Sequence, residues 1–331
     1  KFGIEKTIQE LDGVFMFVLY DELKNELLSG RDPMGVRPGF VGRKDEDIFI
    51  SSEAKPLTDL CDSIIPFEPG TWWSSKDPKT FNRYFTYSTP INSIVDDNDI
   101  CASIRHHLTS AVNKRLMSDR EIGCLLSGGL DSSLITGLVA KEYNGRGLNT
   151  FSIGMEGSVD LVYAKEVADF LGTKHHQIEL TQKDFLKAIE TVIYNIESYD
   201  TTTVRASVGN YLVSKYISEN SDCKVIFNGD GADEVCCGYV YLKNAPSPGA
   251  LQIESERLVK EIYLFDVLRS DRSISSNGLE ARTPFLDKAF VKYYLSIHPE
   301  LKQFDGEKRL EKYLLRKAFE GMGVIPDSVL W

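Results

Sequence analysis

The chain reads Ile122-Gly-Cys-Leu-Leu-Ser-Gly-Gly-Leu-Asp-Ser-Ser133 near its middle, and this stretch decides the fold. Its apolar first part, Ile122–Leu126, predicts a buried strand. The pair Gly128-Gly129 predicts a tight turn, and the residues after it predict a helix from about Ser132 to Tyr143. A buried strand that turns sharply into a helix is the beginning of a βαβ unit.

The residues after this strand also have the chemistry of a phosphate-binding turn. The start of a helix presents unpaired backbone N–H groups, and the helix dipole favours an anion there. Glycine permits close backbone approach, and the hydroxyls of Ser127, Ser132 and Ser133 add hydrogen-bond donors. The Walker A pattern G-x-x-x-x-G-K-[ST] and the dinucleotide pattern G-x-G-x-x-G are both absent from the sequence. An ordinary strand-to-helix turn capped by Asp and Ser is the alternative that the glycines alone leave open.

Further strands and helices alternate after this unit. Strands are predicted at Thr150–Gly154 and His176–Leu180, with a helix at Asp160–Leu171 between them that ends at Gly172. A later buried strand is predicted at Lys224–Phe227. This alternation predicts an α/β fold, a doubly wound parallel sheet with ligands at the carboxyl ends of its strands.

A second polar loop, Asn228-Gly-Asp-Gly-Ala-Asp-Glu234, follows the later strand. We expect it to lie at the same edge of the sheet as the first loop. Its carboxylates would repel a phosphate unless Mg²⁺ lay between them, and Mg²⁺ uses one or two carboxylates together with phosphate oxygens. A calcium-like loop or a purely turn-forming Asp/Gly loop is the alternative, although the EF-hand spacing is not met.

The first part of the chain has a different pattern. Short strands are predicted at Val14–Tyr20, Glu26–Ser29 and Asp47–Ser51, separated by glycine and proline. Residues 67–97 resemble a connecting stretch, and the domain boundary is predicted near residue 88. An amphipathic helix follows at about Ile100–Met117, and the part after Gly249 is mostly helical in pattern.

Composition limits the function classes. The 331 residues carry a formal net charge of −11, which argues against a nucleic-acid surface because phosphate backbones attract clustered Lys and Arg. No apolar run is long enough to cross a membrane, so no membrane partner is expected and a cytoplasmic location is the default. The six cysteines show no C-x-x-C spacing, and we interpret them as reduced, mostly structural thiols.

Several separated motifs together resemble one family. The stretch Ser127–Ser133 is similar to the pyrophosphate loop of the ATP pyrophosphatases, which cleave ATP between its α and β phosphates. The chain as a whole resembles the glutamine-hydrolysing asparagine synthetases. The matching stretches, in chain order, are 11–17, 30–38, Lys114–Asp119, Ile122–Ser133, Tyr199–Ser207, Gly278–Asp287 and Pro326–Trp331.

This resemblance implies two domains and a set of site residues. Residues 1–88 would be the incomplete C-terminal part of an α/β/β/α glutaminase sandwich, and residues 89–331 an ATP pyrophosphatase domain. Asp131 and Asp233 would bind Mg²⁺. The residues implied to contact ATP are Leu126, Ser127, Gly128, Gly129, Asp131, Ser132, Ser133, Ile153, Asn228 and Gly229. The residues implied at the acyl-adenylate step are Thr202, Thr203, Arg205 and Asp230.

The resemblance also implies the reaction: aspartate is activated by ATP as a β-aspartyl-adenylate, and ammonia then displaces AMP. In the family, ammonia comes from glutamine through an N-terminal cysteine, whereas residue 1 here is Lys, so we expect no glutamine hydrolysis by this chain alone. A pyrophosphate-stabilising lysine is expected just beyond Trp331. Asp230 stands where the family commonly has Glu, one methylene longer.

Two other functions stay open at this stage. The first is another adenylating enzyme of the family, such as a β-lactam synthetase-like cyclase. The second is an inactive fragment that binds nucleotide. The sequence does not determine the oligomeric state, and a homodimer remains open.

Overall fold

The computed structural model describes residues 2–87, 89–91, 96–143 and 147–331. The first of its two units contains residues 1–88 and 260–271, and the second contains residues 89–259 and 272–331. The predicted domain boundary at residue 88 lies outside the described residues. The sequence did not predict that residues 260–271 group with the first unit.

The described part of the first unit has one short helix before its strands. These elements are α1 (Ile4–Glu10), β1 (Met16–Asp21), β2 (Glu26–Arg31), β3 (Phe40–Lys44), β4 (Asp47–Ser51), β5 (Ser63–Pro66), β6 (Thr71–Ser74) and β7 (Asp77–Arg83). The strands form two antiparallel sheets, one in the order β1-β2-β6-β7 and the other in the order β4-β3-β5.

Both sheets of the first unit contribute to one apolar cluster. Three buried side chains lie at its centre: Val41 of β3, Trp73 of β6, and Phe67, which lies between β5 and β6. The rings of Phe67 and Phe81 meet edge to face with their centroids 5.0 Å apart. The prediction of residues 67–97 as a connecting stretch was therefore wrong, because β6 and β7 lie within it and side chains from both pack into this cluster.

The second unit contains the remaining strands and most of the helices. Up to β11, its elements are α2 (Asp97–Lys114), β8 (Glu121–Leu125), α3 (Leu130–Glu142), β9 (Asn149–Gly154), α4 (Val159–Leu171), β10 (Lys174–Glu179), α5 (Gln182–Ile196), α6 (Thr201–Asn220) and β11 (Cys223–Phe227). They are followed by α7 (Ala232–Val235), α8 (Pro248–Glu261), α9 (Asp266–Ser275), β12 (Glu280–Arg282), α10 (Lys288–Ser296), α11 (Pro299–Lys302), α12 (Tyr313–Phe319) and α13 (Asp327–Leu330). The last two residues of α8 and the first six residues of α9 are grouped with the first unit.

The strands of the second unit form a parallel sheet in the order β10-β9-β8-β11-β12, as the alternating pattern predicts. Helices cover both of its faces. Along β9, Gly154 packs against Leu161 of α4, whereas Ile153 lies against Gly209 of α6. Since neighbouring residues of a strand point to opposite faces, α4 and α6 lie on opposite sides of the sheet. The doubly wound α/β prediction is confirmed for this unit.

The strand order reverses between β8 and β11. The chain moves from β8 to β9 and β10 on one side, and then crosses to β11 and β12 on the other. Open α/β sheets bind ligands at such a switch point, outside the carboxyl ends of the strands. The two polar loops of the sequence follow β8 and β11, so both lie at this position.

Three local predictions differ from the structure. The first long helix begins at Asp97 rather than near Ile100, because Asp96 caps it by accepting hydrogen bonds from the backbone of Asn98 and Asp99. Helix α3 begins at Leu130, two residues before the predicted start, with Gly129 as its N-cap. Strand β12 was missed, since three residues carry too little pattern to indicate a strand.

Candidate functional site

The first loop passes very close to helix α4. Gly128 has a φ of +83°, and a Cβ at this position would lie 2.6 Å from the backbone nitrogen of Ala164. Glycine is therefore required here on both conformational and steric grounds. The hydroxyls of Ser127 and Ser132 lie 2.8 Å apart, and the backbone N–H of Ser127 donates to Ser132 Oγ. This loop thus holds two hydroxyls beside the start of α3.

The first turn of α3 contains residues predicted to bind phosphate. Because the helix begins at Leu130, Asp131 and Ser132 lie in its first turn, where backbone N–H groups have no helical partner. Ser133 differs from these: its side chain is fully buried, and its Oγ has no hydrogen-bond partner among the described residues. Its N–H already bonds to the carbonyl of Gly129. Ser127 and Ser132 are therefore the hydroxyls of this loop best placed for a ligand.

The second loop touches the first directly. A Cβ at Gly229 would lie 2.8 Å from the backbone nitrogen of Ser132 and 2.9 Å from the carbonyl carbon of Asp131. The absence of a side chain at Gly229 thus allows the two backbones to meet. Asn228 anchors the loop from the other side, since its N–H donates to the carbonyl of Arg282 at the end of β12.

Asn228 and Asp230 are joined within this second loop. The Asn228 side-chain Nδ2 donates to Asp230 Oδ2 over 2.5 Å, and the Asp230 N–H donates back to Asn228 Oδ1 over 3.3 Å. Asn228 is buried, whereas Asp230 is half-buried. The carboxylate predicted to act at the acyl-adenylate step is therefore oriented by the amide two residues before it.

A lysine connects the two predicted magnesium ligands. Lys312 Nζ lies 2.5 Å from Asp131 Oδ2 and 2.7 Å from Asp233 Oδ1. Burial lowers the pKa of Lys312, but the two carboxylates outweigh this effect and raise its pKa above the ordinary value. Burial also raises the pKa of Asp131, and the Lys312 ammonium opposes that rise. The two carboxylates and the ammonium form one ionic cluster, in which Lys312 is buried and Asp233 is partly exposed.

Sequence reasoning missed Lys312 altogether. It lies in a left-handed turn with a φ of +56°, immediately before α12, and it reaches the site through tertiary contact alone. Neither its neighbours nor its spacing distinguish it from the other lysines. The structure reveals the role of Lys312 through its packing against Gly238, because a Cβ at Gly238 would lie 2.0 Å from both Lys312 Cε and Asp233 Oδ1.

The residues present fit a magnesium ion that is shared with phosphates. Asp131 Oδ1 is buried and has no hydrogen-bond partner among the described residues, so one carboxylate oxygen is left for a ligand. Over the part of the chain that the structure describes, no three His, Cys, Asp or Glu residues are grouped to hold a metal by themselves. Two carboxylates suit Mg²⁺, which takes few protein ligands and completes its shell with water and phosphate.

Two apolar residues predicted to contact the nucleotide, Leu126 and Ile153, flank the first loop. Leu126 is buried directly after β8, and its N–H donates to the carbonyl of Phe151 over 2.8 Å. Ile153 lies near the carboxyl end of the neighbouring strand β9. The space beside Ile153 is bordered by Gly209 of α6, whose added Cβ would still be 3.9 Å away.

The predicted acyl-adenylate residues lie at the start of α6. Asp200 caps this helix, accepting both the N–H and the hydroxyl of Thr203, so the Thr203 side chain already has a capping role. Thr202 and Arg205 are exposed. Within the described residues, no hydrogen bond joins either of them to the two loops. The structure thus brings together Asp131, Asp233 and the loop glycines, but not the α6 residues.

The sequence motif Gly30–Pro38 in the first unit is explained by the hydrogen bonds of two buried side chains. Arg31 is buried and donates to the carbonyls of Gly35, Arg37 and Phe67. Asp32 accepts from four backbone N–H groups, those of Phe15, Met34, Val36 and Arg37. Burial lowers the pKa of Arg31 to about 10, although the charge of Asp32 opposes this effect. The loop is therefore built around two buried charged side chains.

Family models match both parts of the chain. A model described as "Asparagine synthase" matches residues 103–253 and 243–331, which is more than half of the chain. The chain belongs to the asparagine synthase family. A second model, described as "Glutamine amidotransferase domain", matches residues 1–89. This membership agrees with the resemblance drawn from the sequence motifs.

Known relatives align with the whole chain. The chain is 42% identical over 360 residues to an asparagine synthetase [glutamine-hydrolyzing] of Homo sapiens, and 43% identical over 361 residues to that of Rattus norvegicus. All of the chain is covered in both alignments, and it spans 64% of the length of each relative. Among solved structures, it is similar to an NMN synthetase from Francisella tularensis, with 13% identity over 61% of this chain and 96% of that one, and a TM-score of 0.30.

Proposed function

We propose that this chain, as part of the intact protein, synthesises asparagine from aspartate at the expense of ATP. The observation that carries the proposal is the contact between the two glycine loops, where the backbone of Gly229 meets Asp131 and Ser132. This contact joins a phosphate-binding helix start to a carboxylate-bearing loop at the switch point of a parallel sheet. Membership of the asparagine synthase family supports the same reaction.

ATP would lie across the carboxyl ends of β8 and β9. The base would contact Leu126 and Ile153, and the phosphates would accept hydrogen bonds from the first turn of α3 and from the hydroxyls of Ser127 and Ser132. The positive end of the helix dipole adds to this attraction. Asp131 and Asp233 would hold Mg²⁺, which would neutralise charge on the departing pyrophosphate.

The carboxylate of aspartate needs activation because oxide is a poor leaving group. A β-carboxylate oxygen attacks the α-phosphorus of ATP, the bond to the bridging α–β oxygen breaks, and pyrophosphate leaves with the bonding electrons. The hydrogen-bond donors of the first loop stabilise this charge. Ammonia then attacks the acyl carbon, the bond to the AMP oxygen breaks, and the new amide loses a proton.

The remaining site residues would serve the substrate aspartate. Arg205 carries a planar guanidinium that can hold a carboxylate by two parallel hydrogen bonds. Thr202 lies one helical turn before it on α6, and the two share a face with Gly209, which borders Ile153. Asp230 would act at the adenylation step, with its orientation set by Asn228.

The intact protein would take its ammonia from glutamine. The match of residues 1–89 to a glutamine amidotransferase domain supports this part of the proposal. A cytoplasmic location is a further part of it, supported by the cysteines: all six are free, and five of them are buried.

The reaction is tested by measuring pyrophosphate release from ATP and Mg²⁺ with ammonia supplied directly. We expect release that depends on aspartate, with asparagine formed in equal amount. Asp233→Ala should abolish this release while the thermal unfolding midpoint stays close to that of the unaltered chain, whereas the exposed Asp169→Ala should retain it. Release without aspartate would favour another adenylating enzyme, and nucleotide binding without turnover would favour a binding fragment.

A further inference from the structure

Lys312 is enclosed in the second unit rather than free to move in solvent. Its side chain is 7% exposed, and its backbone forms the N-cap of α12. Gly238 lies against Cε so closely that no side chain fits between them. The ammonium is therefore a permanent part of the carboxylate pair.

Lys312 uses only one oxygen of each carboxylate. It contacts Oδ2 of Asp131 and Oδ1 of Asp233, and Asp131 Oδ1 is left buried without a hydrogen-bond partner among the described residues. A metal ion can thus bind Asp131 Oδ1 while the ammonium stays in place. Two carboxylates and one ammonium have a net charge of −1, which is a weak attraction for a dication compared with −2.

We propose that Lys312 makes metal binding at Asp131 and Asp233 depend on the polyphosphate of the nucleotide. The ammonium fixes the carboxylates in position and removes half of their net charge, so the protein alone holds a divalent ion poorly. Phosphate oxygens supply the missing negative charge and the missing ligands. Lys312 is a positioning residue, since it acts through the two carboxylates. This inference rests on the proposed ATP site.

The experiment measures binding of Mn²⁺ by electron paramagnetic resonance, with no turnover required. In the unaltered chain, Mn²⁺ alone should bind weakly, and a non-hydrolysable ATP analogue should tighten its binding by about tenfold or more. Lys312→Met should tighten the binding of Mn²⁺ alone by about tenfold or more and reduce the effect of the analogue. Lys312→Arg, which keeps the charge, should resemble the unaltered chain.

The matched control is Lys302→Met. Lys302 is also buried, but it donates to the side chain of Gln252 and the carbonyl of Tyr294, so its loss should leave Mn²⁺ affinity unchanged. The inference is overturned if Lys312→Met binds Mn²⁺ no more tightly than the unaltered chain, or if Lys312→Arg behaves like Lys312→Met. If Lys312→Met does not fold, the unaltered chain still decides, because tight Mn²⁺ binding without nucleotide overturns the inference.

Mn²⁺ binding and pyrophosphate release, measured on the same protein, together separate this inference from the proposed function. Aspartate-dependent pyrophosphate release together with nucleotide-independent Mn²⁺ binding would refute the role of Lys312 and leave the synthetase reaction standing. The expected Mn²⁺ result without any pyrophosphate release would refute the reaction and support the role of Lys312.

Discussion

The Asn228 side-chain amide donates to the Asp230 carboxylate over 2.5 Å, within a loop whose backbone reaches the first turn of α3. This hydrogen bond matches the length of an Asp side chain. A Glu at position 230 would place its carboxylate one methylene further out and lose this geometry. The shorter acid is therefore adapted to its neighbour.

We expect Asp230→Glu to lower kcat for aspartate-dependent pyrophosphate release, with little change in the thermal unfolding midpoint. The physical reason is that Asn228 would no longer orient the carboxylate. Since misplacing a catalytic group by about 1 Å can slow a reaction by about 100-fold, we expect kcat to fall by about that factor. The check is steady-state kinetics beside thermal unfolding. Higher activity in this variant would mean instead that the short side chain is a handicap in this chain.

Replacing Gly229 by Ala should separate the two loops. The new Cβ would lie 2.8 Å from the backbone nitrogen of Ser132, and backbone cannot move away as a flexible side chain can. We expect nucleotide affinity, measured by calorimetry, to fall by about tenfold or more.

The matched control for this glycine is Gly249→Ala in α8. Its nearest contact would be Ser247 Oγ at 3.8 Å, and its φ is not positive, so the change should be neutral or slightly stabilising. Equal nucleotide affinity in the two variants would contradict the close contact of the loops.

Asp287 holds together two motifs that are far apart in the sequence. Its Oδ2 lies 2.9 Å from both Lys114 Nζ and Arg115 Nη1, and its Oδ1 accepts from the backbone of Ala289 and Phe290 at the start of α10. We expect Asp287→Ala to lower the free energy of unfolding by about 3 kcal/mol, because it removes a buried carboxylate that pairs with two cations and caps α10. Denaturant unfolding measures this change.

The exposed ion pair between Asp169 and Lys165 offers a control for that variant. Asp169→Ala should change the free energy of unfolding by less than about 0.5 kcal/mol, since exposed pairs contribute little. A similar loss in both variants would show that burial of Asp287 has no special effect.

Acidic pH should destabilise the second unit through His175. Its ring nitrogens bond to the hydroxyls of Thr150 and Ser152, and burial, together with the charge of Lys165, lowers its pKa from 6.5 to about 4. Above pH 6.5 the ring is neutral in both the folded and unfolded states. Between pH 6.5 and about 4 the unfolded chain binds the proton first, so stability falls as pH falls.

The measurement is the free energy of unfolding at several pH values for the unaltered chain and for His175→Gln. The variant should be less stable at neutral pH but show a shallower decline between pH 6.5 and 4. Parallel declines in the two proteins would refute the assignment to His175.

The sequence predicted the elements whose signal is local. The run Ile122–Leu126 followed by a glycine turn predicted β8 and the helix start, and Gly172 marked the end of α4, where it takes a φ of +65°. The start of α3 was placed two residues late, because Leu130 and Asp131 fit a loop or a first helical turn equally well. Strand β12 depends on pairing with β11 rather than on its own three residues.

The candidate site residues also divide into those that a local sequence pattern could predict and those that it could not. Asp131 and Gly229 follow strands with a strong pattern, so their neighbourhood could be predicted from sheet topology. Lys312 could not be predicted, since its contacts come from a turn whose local pattern indicates only an exposed polar residue. The burial of Ser133 was also missed, because a hydroxyl in a helix gives no indication of which way it faces.

The distance along the chain between Asp131 and Lys312 has a consequence for synthesis on the ribosome. Lys312 follows Asp131 by 181 residues, and at about 5–20 residues per second this corresponds to a delay of roughly 10–40 s. During that interval Asp131 lacks its Lys312 partner, and burying an unpaired carboxylate is unfavourable. The Asp131 carboxylate must therefore stay hydrated in the nascent chain, and its contact with Lys312 and Asp233 is completed only when nearly the whole of the second unit has been made.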